Sequence, residues 1–217
     1  TVIEESWFGY SPNSESEPDF PEAGVELKVT PYVHGKNGLR AKERLVCNII
    51  NYMGEYDRTF QTSSFWHKCN TMLLMSYEHR ENVPKGDFRI DKAVLFSFPE
   101  EDLLIIEHDW ETIMQKVRDG RAHDITEGDT LYLAACTKGA NASSVRKQPF
   151  SDIPAKQRAY SLKSTYMTQI LRKYIFGIEE DERIIKDWHS LIHASFEEHL
   201  IKELSPYYGK TQRELKQ

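Results

Sequence analysis

A carboxylate and a lysine lie two residues apart in a predicted strand near the start of the chain. In the segment Val25–Thr30, apolar and polar residues alternate with the period of two that is typical of a β-strand. Because side chains alternate across a strand, Glu26 and Lys28 emerge on one face, about 7 Å apart. Asp19 lies in a predicted turn before the strand and can bring a second carboxylate to Glu26. Two hard oxygen ligands with room for water are what Mg²⁺ accepts, and a nearby ammonium can position a water molecule.

These residue types suit the hydrolysis of a phosphodiester. A metal would neutralise charge on the attacked phosphate and lower the pKa of a water, while Lys28 would steady the developing anion. An exposed ion pair is nevertheless the more common outcome when Glu and Lys share one face of a strand. The spacing by itself therefore leaves two alternatives open, a surface ion pair or the centre of an active site.

Three other segments carry candidate functional residues. Lys68 ends "TSSFWHK" just before a predicted strand, where it could meet a phosphate or cover apolar surface with its stem. Glu5, in "EESWFG", lies on a predicted short helix and could add a third carboxylate, although a solvated glutamate explains it equally well. The loop "CTKGANASS" combines a lysine, a glycine and an asparagine with little bulk, so its backbone could approach a base edge or a phosphate.

His189 and His193 lie four residues apart, but no H-E-x-x-H motif surrounds them and we expect no histidine metal site.

Composition places the chain among globular proteins. Its 217 residues include 39% hydrophobic and 12% aromatic residues, enough to form a packed core. The three cysteines are far apart and form no C-x-x-C, so they indicate neither a disulfide framework nor a zinc site. No apolar run approaches the length of a membrane span, and the first residues lack the pattern of a secretory signal. We therefore expect a cytoplasmic protein without a membrane partner.

Charge is distributed unevenly along the chain. The net charge is −6, which alone argues against a nucleic-acid partner. Between Pro99 and Asp129, however, ten acidic residues face three basic ones, whereas Cys136 to Phe176 holds eight basic residues and one acidic residue. One face could therefore approach DNA while the other keeps the protein soluble. A chance cluster on a solvated surface is the alternative.

Strands and helices are predicted to alternate irregularly, which favours an α/β (α+β) fold with a mixed central sheet flanked by helices. Asp109 is predicted to cap a helix that ends at Gly120, and Ser161 to cap a later one. Residues 136–152 are predicted to form a long loop. Strands are predicted at Val25–Thr30, in "ERLVCNIINY" as the return strand of a hairpin or meander, at Thr71–His79, at Lys92–Phe98 and in "DTLYLAACT".

Six segments, taken in order, resemble the MutH family, and most of all the Sau-type restriction endonucleases that cut GATC. They are "ESWFG", "PDFPEAGVELKVTP", "TSSFWHK", "DWETIMQKVRDG", "CTKGANASS" and "AYSLKSTYMTQIL". The resemblance covers the chain from Glu5 to about Phe176. It implies a restriction-endonuclease-like core, which agrees with the element order predicted from the residues.

The resemblance also implies roles for individual residues. Asp19 and Glu26 would bind a divalent metal together with the main-chain carbonyl of Leu27, and Lys28 would assist the attacking water. Glu5 and Lys68 match further active-site positions. The implied cofactor is Mg²⁺, with Mn²⁺ as a substitute and Ca²⁺ as a non-productive one.

The implied partner is double-stranded DNA that contains GATC. Lys138 matches the family lysine that reads a base, and a lysine suits the acceptors of guanine chemically. Tyr160 and Ser161 lie where the family approaches the adenine, which makes them candidates for sensing methylation. The remaining residues expected to contact DNA are Cys136, Thr137, Gly139 and Asn141.

Two departures bear on the type of enzyme. The mismatch-repair member carries Arg-Pro where this chain has Cys136 and Thr137, which favours a type II restriction enzyme that leaves a 5′-phosphate. A mismatch-repair enzyme that nicks GATC remains an alternative, as does a non-catalytic DNA-binding effector domain. The presence of Asp19, Glu26 and Lys28 argues against the effector domain.

The resemblance further predicts how the chain is organised. Residues 1–204 would form a MutH-like endonuclease domain that lacks its N-terminal segment, because relatives carry a helix upstream of Glu5. Residues 205–217 would form a linker or the start of a second MutH-like domain. Dimerisation on DNA is one way in which a single catalytic centre per chain could break both strands. The implied location is the bacterial cytoplasm.

Overall fold

The computed structural model describes residues 3, 5, 8–9, 17–139, 141 and 143–178. These belong to one compact unit, Thr1–Ile178. The predicted domain boundary at residue 204, the segment 205–217 and the pair His189 and His193 lie outside the described residues. Within the described part, no helix has the length and apolar character needed to cross a bilayer.

Nine strands and four α-helices make up the described part of the fold. The strands are β1 (Glu26–Gly35), β2 (Gly38–Ala41), β3 (Leu45–Ile49), β4 (Thr71–Glu78), β5 (Ile90–Ser97), β6 (Leu133–Thr137), β7 (Val145–Gln148), β8 (Ser151–Lys156) and β9 (Arg158–Leu162). The helices are α1 (Tyr52–Glu55), α2 (Ser64–Cys69), α3 (Glu100–Arg118) and α4 (Ser164–Gln169), the last continuing as a π-helical turn over Ile170–Ile175.

The predicted mixed sheet is confirmed. Four strands hydrogen-bond in the order β2-β1-β4-β5, with β1 parallel to β4 and the other pairs antiparallel. A second, antiparallel sheet has the order β3-β9-β6, and β7 pairs with β8 as a hairpin. The strand predicted in "ERLVCNIINY" exists as β3, but its predicted pairing is wrong. The return strand of β1 is β2, whereas β3 pairs with β9 in the second sheet.

Helix α3 begins earlier than predicted. The apolar residues that follow Asp109 are buried, as their helical spacing indicates, and the helix ends just before Gly120, which has a φ of +69°. Asp109, however, lies inside the helix and is not its cap. Its carboxylate accepts the main-chain N–H groups of Leu131, Tyr132 and Leu133 at 2.9, 2.6 and 2.9 Å. The residue therefore joins α3 to the start of β6 instead of starting a helix.

The segment after β6 is more ordered than the predicted loop. The described residues 138, 139, 141, 143 and 144 lie outside strands, but β7 and β8 then pair as a hairpin. Ser161 does not cap a helix, because it lies within β9 with a fully buried side chain, and α4 begins at Ser164 after Lys163. Strand β9 is the central strand of its sheet and all five of its residues are buried, so a serine there has no helix end to cap.

Candidate active site

A short closed turn brings Asp19 to the start of β1. Phe20 and Val25 form an isolated antiparallel bridge, in which the N–H of each donates to the carbonyl of the other at 2.9 and 3.2 Å. The four residues between them form the turn. Because the bridge closes the segment, Asp19 and Glu26 leave it side by side, although six residues separate them in the sequence.

The two carboxylates are tied to each other through the main chain. The N–H of Asp19 donates to Oε2 of Glu26, and the N–H of Leu27 donates to Oδ2 of Asp19, both at 3.1 Å. Glu26 is only 2% exposed, and Leu27 packs its side chain into the core at 3%. Each carboxylate is therefore held in place by a backbone donor from the other side of the turn.

Two lysines converge on Glu26. Nζ of Lys28 lies 2.6 Å from Oε1 of Glu26 and also donates to the carbonyl of Cys47 at 3.4 Å. Nζ of Lys68, at the end of α2, lies 3.7 Å from Oε2 of Glu26 and donates to the carbonyl of Glu17 at 3.0 Å. The burial of Glu26 rules out the ordinary exposed ion pair that the sequence left open.

Burial and pairing act on the pKa values of this cluster in different ways. Burial raises the pKa of Glu26, although the ammonium groups of Lys28 and Lys68 act against that rise. Burial would lower the pKa of Lys28, but Cys69, Glu26 and Cys47 together raise it. Lys28 is therefore a cation at neutral pH, whereas ionised Glu26 bears an unrecovered cost of burial. Further positive charge beside the carboxylates would reduce that cost.

The donor set fits a hard divalent cation. Asp19 and Glu26 supply carboxylate oxygens, and Leu27, which follows Glu26 directly in β1, can add its main-chain carbonyl. Among the described residues, no group of three or more His, Cys, Asp or Glu side chains is arranged around one point. A metal held here would therefore complete its shell with carbonyl and water oxygens, which Mg²⁺ tolerates and which structural zinc sites avoid.

The cluster lies on the wall of a cleft of about 750 Å³ that contains several residues not singled out from the sequence. Glu55 is 2% exposed and accepts the N–H of Ser64 at 3.0 Å and the hydroxyl of Tyr160 at 3.2 Å. His67 and Glu17 pair at the exposed rim at 2.8 Å. No local motif marks these residues, since their neighbours in space are far away in sequence. Also lining the cleft are Asn48, Ile49, Asn51, Gly54, Arg58, Gln61 and Thr62.

The last residue of β6 and the loop after it present four of the predicted DNA-contact residues on the surface. They are Thr137, Lys138, Gly139 and Asn141, all exposed, and they line a cavity of about 220 Å³ with Ser144, Lys156 and Gln157. A Cβ on Gly139 would lie 2.4 Å from the Cβ of Ser144, so only glycine lets the loop close this tightly. The predicted approach of this backbone to a base edge or a phosphate stays a prediction, since the close neighbour in the structure is Ser144.

Three predicted DNA contacts do not lie on the surface. Cys136 is 3% exposed, and Tyr160 and Ser161 are fully buried. Tyr160 donates to Glu55, and Ser161 donates to the carbonyl of Ala134 at 3.4 Å. All three side chains are buried in this structure, and their assignment as DNA contacts stays a prediction. Glu5 has helical backbone and an exposed side chain, and its role as a further active-site carboxylate stays a prediction.

Comparison with known proteins identifies relatives across this site. A family model described as the DNA mismatch repair enzyme MutH matches residues 8–109, which include the four residues of the cluster, Asp19, Glu26, Lys28 and Lys68. The type II restriction enzyme Sau3AI of Staphylococcus aureus is 50% identical over 206 residues, or 94% of this chain. The chain spans 42% of the length of that relative.

Mismatch repair proteins are more distant but are covered over more of their length. The DNA mismatch repair protein MutH of Pectobacterium atrosepticum is 28% identical over 82% of this chain and 77% of its own length. The protein of the same name from Escherichia coli is 29% identical over 80% of this chain and 76% of its own. With the mixed sheet and the buried cluster, these matches show that residues 8–109 carry a MutH family domain.

Proposed function

We propose that the chain is the catalytic part of a type II restriction endonuclease that hydrolyses DNA at GATC. The observation that carries the proposal is the buried carboxylate of Glu26 on the wall of an open cleft. This carboxylate accepts the N–H of Asp19 and lies within 4 Å of the ammonium groups of Lys28 and Lys68. The likeness to a type II restriction enzyme at 50% identity supports the reaction class, and the likeness to mismatch repair enzymes supports DNA as the substrate.

The proposed cofactor is Mg²⁺, held by Asp19, Glu26 and the carbonyl of Leu27, with Mn²⁺ able to replace it and Ca²⁺ supporting binding without cleavage. When bound, the metal supplies charge neutralisation at the phosphate and a more acidic water. Glu26 holds its ligand oxygens in place because its carboxylate is already fixed by Asp19 and Lys28. Such preorganisation limits the reorganisation required during reaction.

Lys28 is proposed to act as a cation. Its raised pKa keeps the ammonium protonated at neutral pH, so it orients the attacking water and stabilises charge on the pentacovalent phosphorus instead of removing a proton. Lys68, on the opposite oxygen of Glu26, is proposed to contact the phosphate, which its position beside the carboxylate supports. A water oxygen bonds to phosphorus as the bond to the 3′ oxygen breaks. The products are a 5′-phosphate and a 3′-hydroxyl.

GATC recognition is proposed to involve the exposed loop that begins at Lys138. Lys138, Thr137, Gly139 and Asn141 all lie on the surface, where a duplex could reach them. Dimerisation on DNA, or a second MutH-like domain in a longer protein, would bring additional contacts. The length of the relative is consistent with such a domain. A DNA substrate also fits a location in the bacterial cytoplasm.

A plasmid assay tests this function. The 217-residue chain is incubated with GATC plasmid in Mg²⁺, beside Lys28→Ala and a plasmid in which every GATC is altered. We expect double-strand cuts at GATC only, and a loss of about 10²- to 10³-fold in Lys28→Ala.

Other products of the assay would point elsewhere. Nicks in one strand would favour the mismatch-repair reaction to which the more distant relatives point. Retardation of the plasmid without metal-dependent cutting would indicate an effector domain. Unchanged cutting by Lys28→Ala would contradict the proposed mechanism.

A further inference from the structure

A second cavity adjoins the cleft and leads away from the catalytic cluster. We call it the hairpin trough; it has a volume of about 460 Å³ and is lined by residues 49–53 together with Arg146 and Lys147 of β7. Ile49 and Asn51 line both the trough and the cleft, so the two cavities share a wall. A ligand that occupies the cleft and is longer than it would continue into the trough.

The elements that line the trough are held together by packing and by a hydrogen bond. Helix α1 packs against β7, and the hydroxyl of Tyr52 donates to the carbonyl of Lys156 in β8 at 2.7 Å. Tyr52 itself is 1% exposed. The hairpin therefore keeps its position relative to the wall that it shares with the cleft.

Arg146 is held by the same residue that holds the Lys138 loop. Nε of Arg146 donates to Oε1 of Gln157 at 2.8 Å, and the carbonyl of Gln157 accepts the N–H of Lys138 at 2.8 Å. The N–H of Gln157 in turn donates to the carbonyl of Ser144 at 2.9 Å. Gln157 thus fixes the guanidinium of Arg146 and the backbone of the loop as one unit.

The lining of the trough combines apolar and cationic side chains. Ile49 and Met53 are 41% and 52% exposed, so the trough presents apolar surface to a ligand. Arg146 and Lys147 are both exposed beside them. A phosphate requires only the cations, whereas a base edge also offers apolar contact, such as the thymine methyl group. The charge and the continuity with the cleft both favour duplex DNA as the occupant.

We propose that Arg146 is a specificity-determining residue that reads the guanine of the outer G·C pairs of GATC from the major groove. This inference rests on the proposed function. Arginine pairs with O6 and N7 of guanine, and the only guanines in GATC belong to its outer pairs. Gln157 is a positioning residue, because it acts through Arg146.

Binding measurements without cleavage test the proposal. The 217-residue chain and its variants are titrated in Ca²⁺ against labelled duplexes that contain GATC, AATT (outer pairs changed) or GTAC (inner pairs changed). Arg146→Ala should reduce the preference for GATC over AATT by about 10- to 100-fold and leave the preference over GTAC in place. Lys92→Ala, which removes an exposed cation from β5, is the matched control and should change neither ratio.

Gln157→Leu separates positioning from general stability. It should lower the same GATC-to-AATT ratio, and the double variant with Arg146→Ala should lose no more than Arg146→Ala alone, because the two residues act as one unit. Thermal melting of each variant shows whether folding is retained. Additive losses in the double variant would overturn the link through Gln157.

Three results distinguish failure of this inference from failure of the proposed function. If Arg146→Ala weakened binding equally to all three duplexes, Arg146 would be a phosphate anchor and the inference would be wrong. If the parent chain showed no preference for GATC at all, the proposed GATC specificity would fail, and the inference with it. A parent that prefers GATC and an Arg146→Ala variant with unchanged ratios would overturn the inference alone.

Discussion

The cluster around Glu26 and the surface around Lys138 are held in opposite ways. In the cluster, carboxylate oxygens of Asp19 and Glu26 accept hydrogen bonds from backbone N–H groups, and Glu26 also pairs with Lys28. Glu26 is almost fully buried from solvent. Around Lys138, the side chains are exposed, and it is the backbone that Gln157 and Gly139 fix. The first arrangement suits chemistry that requires fixed charges. The second leaves long cationic side chains free to adjust to a duplex while their attachment points stay in register.

Glu26→Gln gives the largest expected effect. It also separates the contribution of Glu26 to cleavage from its contribution to stability. Cleavage should fall to background, since a metal ligand is lost. The free energy of unfolding in EDTA should rise at neutral pH, because the pKa of Glu26 is raised by burial and the ionised form is the less stable one in the folded chain. The measurements are plasmid cutting and urea unfolding.

The pH dependence of that stability gain has a definite sign. As pH falls through the raised pKa of Glu26, the folded parent takes up the proton, and its disadvantage relative to Glu26→Gln should shrink. Glu78→Gln, which removes a carboxylate paired with Arg80, serves as the control. A gain that stayed constant down to acidic pH, or a loss of stability at neutral pH, would show that burial does not dominate at Glu26.

Lys138→Ala should have a smaller effect, confined to recognition. If the lysine contacts a base directly, discrimination at one base pair should fall by about 1–3 kcal/mol. Thermal stability should not change, because the side chain is exposed. Binding to duplexes substituted at each position measures the effect, with Lys36→Ala in the turn between β1 and β2 as the control. Equal losses on every duplex would reduce Lys138 to a phosphate anchor.

Lys156→Ala should have the smallest effect. It lies in β8 at the edge of the same cavity as Lys138, and its exposed ammonium is placed to contact a phosphate. Binding should weaken by the same factor on all sequences, and the slope of log K against log salt should become shallower by about 0.9. A sequence-dependent loss would move Lys156 from anchoring to recognition and blur the contrast between the two regions.

The sequence predicted best what depends on neighbours along the chain. Period-two alternation placed Glu26 and Lys28 on one face of β1, and the motif around Lys68 placed it beside a strand, as the structure has it. Asp109 and Ser161 look like helix caps locally, but the partners of Asp109 lie 22 to 24 residues away and Ser161 lies in a central strand. Such partners follow from tertiary packing, which a local pattern does not contain.

Residues in the cleft and the trough could not be predicted from the sequence for the same reason. Glu55 is held by Ser64 and Tyr160, and Arg146 by Gln157, so each acquires its setting only when distant segments meet. Burial of Cys136 and Tyr160 was also unpredictable from their loop-like and aromatic neighbours. Tyr160 lies in β9, which the strand order β3-β9-β6 places between two other strands, and Cys136 lies in β6 opposite Ala159 of β9.

The bridge between Phe20 and Val25 has a consequence for how this site can vary among relatives. Asp19 and Glu26 flank a closed turn. The number of residues between them, here six, therefore reflects the length of the turn and does not set the distance between the two carboxylates. Insertions of several residues between Phe20 and Val25 would lengthen the turn outward and leave the two carboxylates where they are. A search for similar sites should therefore keep the Glu-x-Lys spacing within the strand constant and allow any number of residues between the Glu and the preceding Asp.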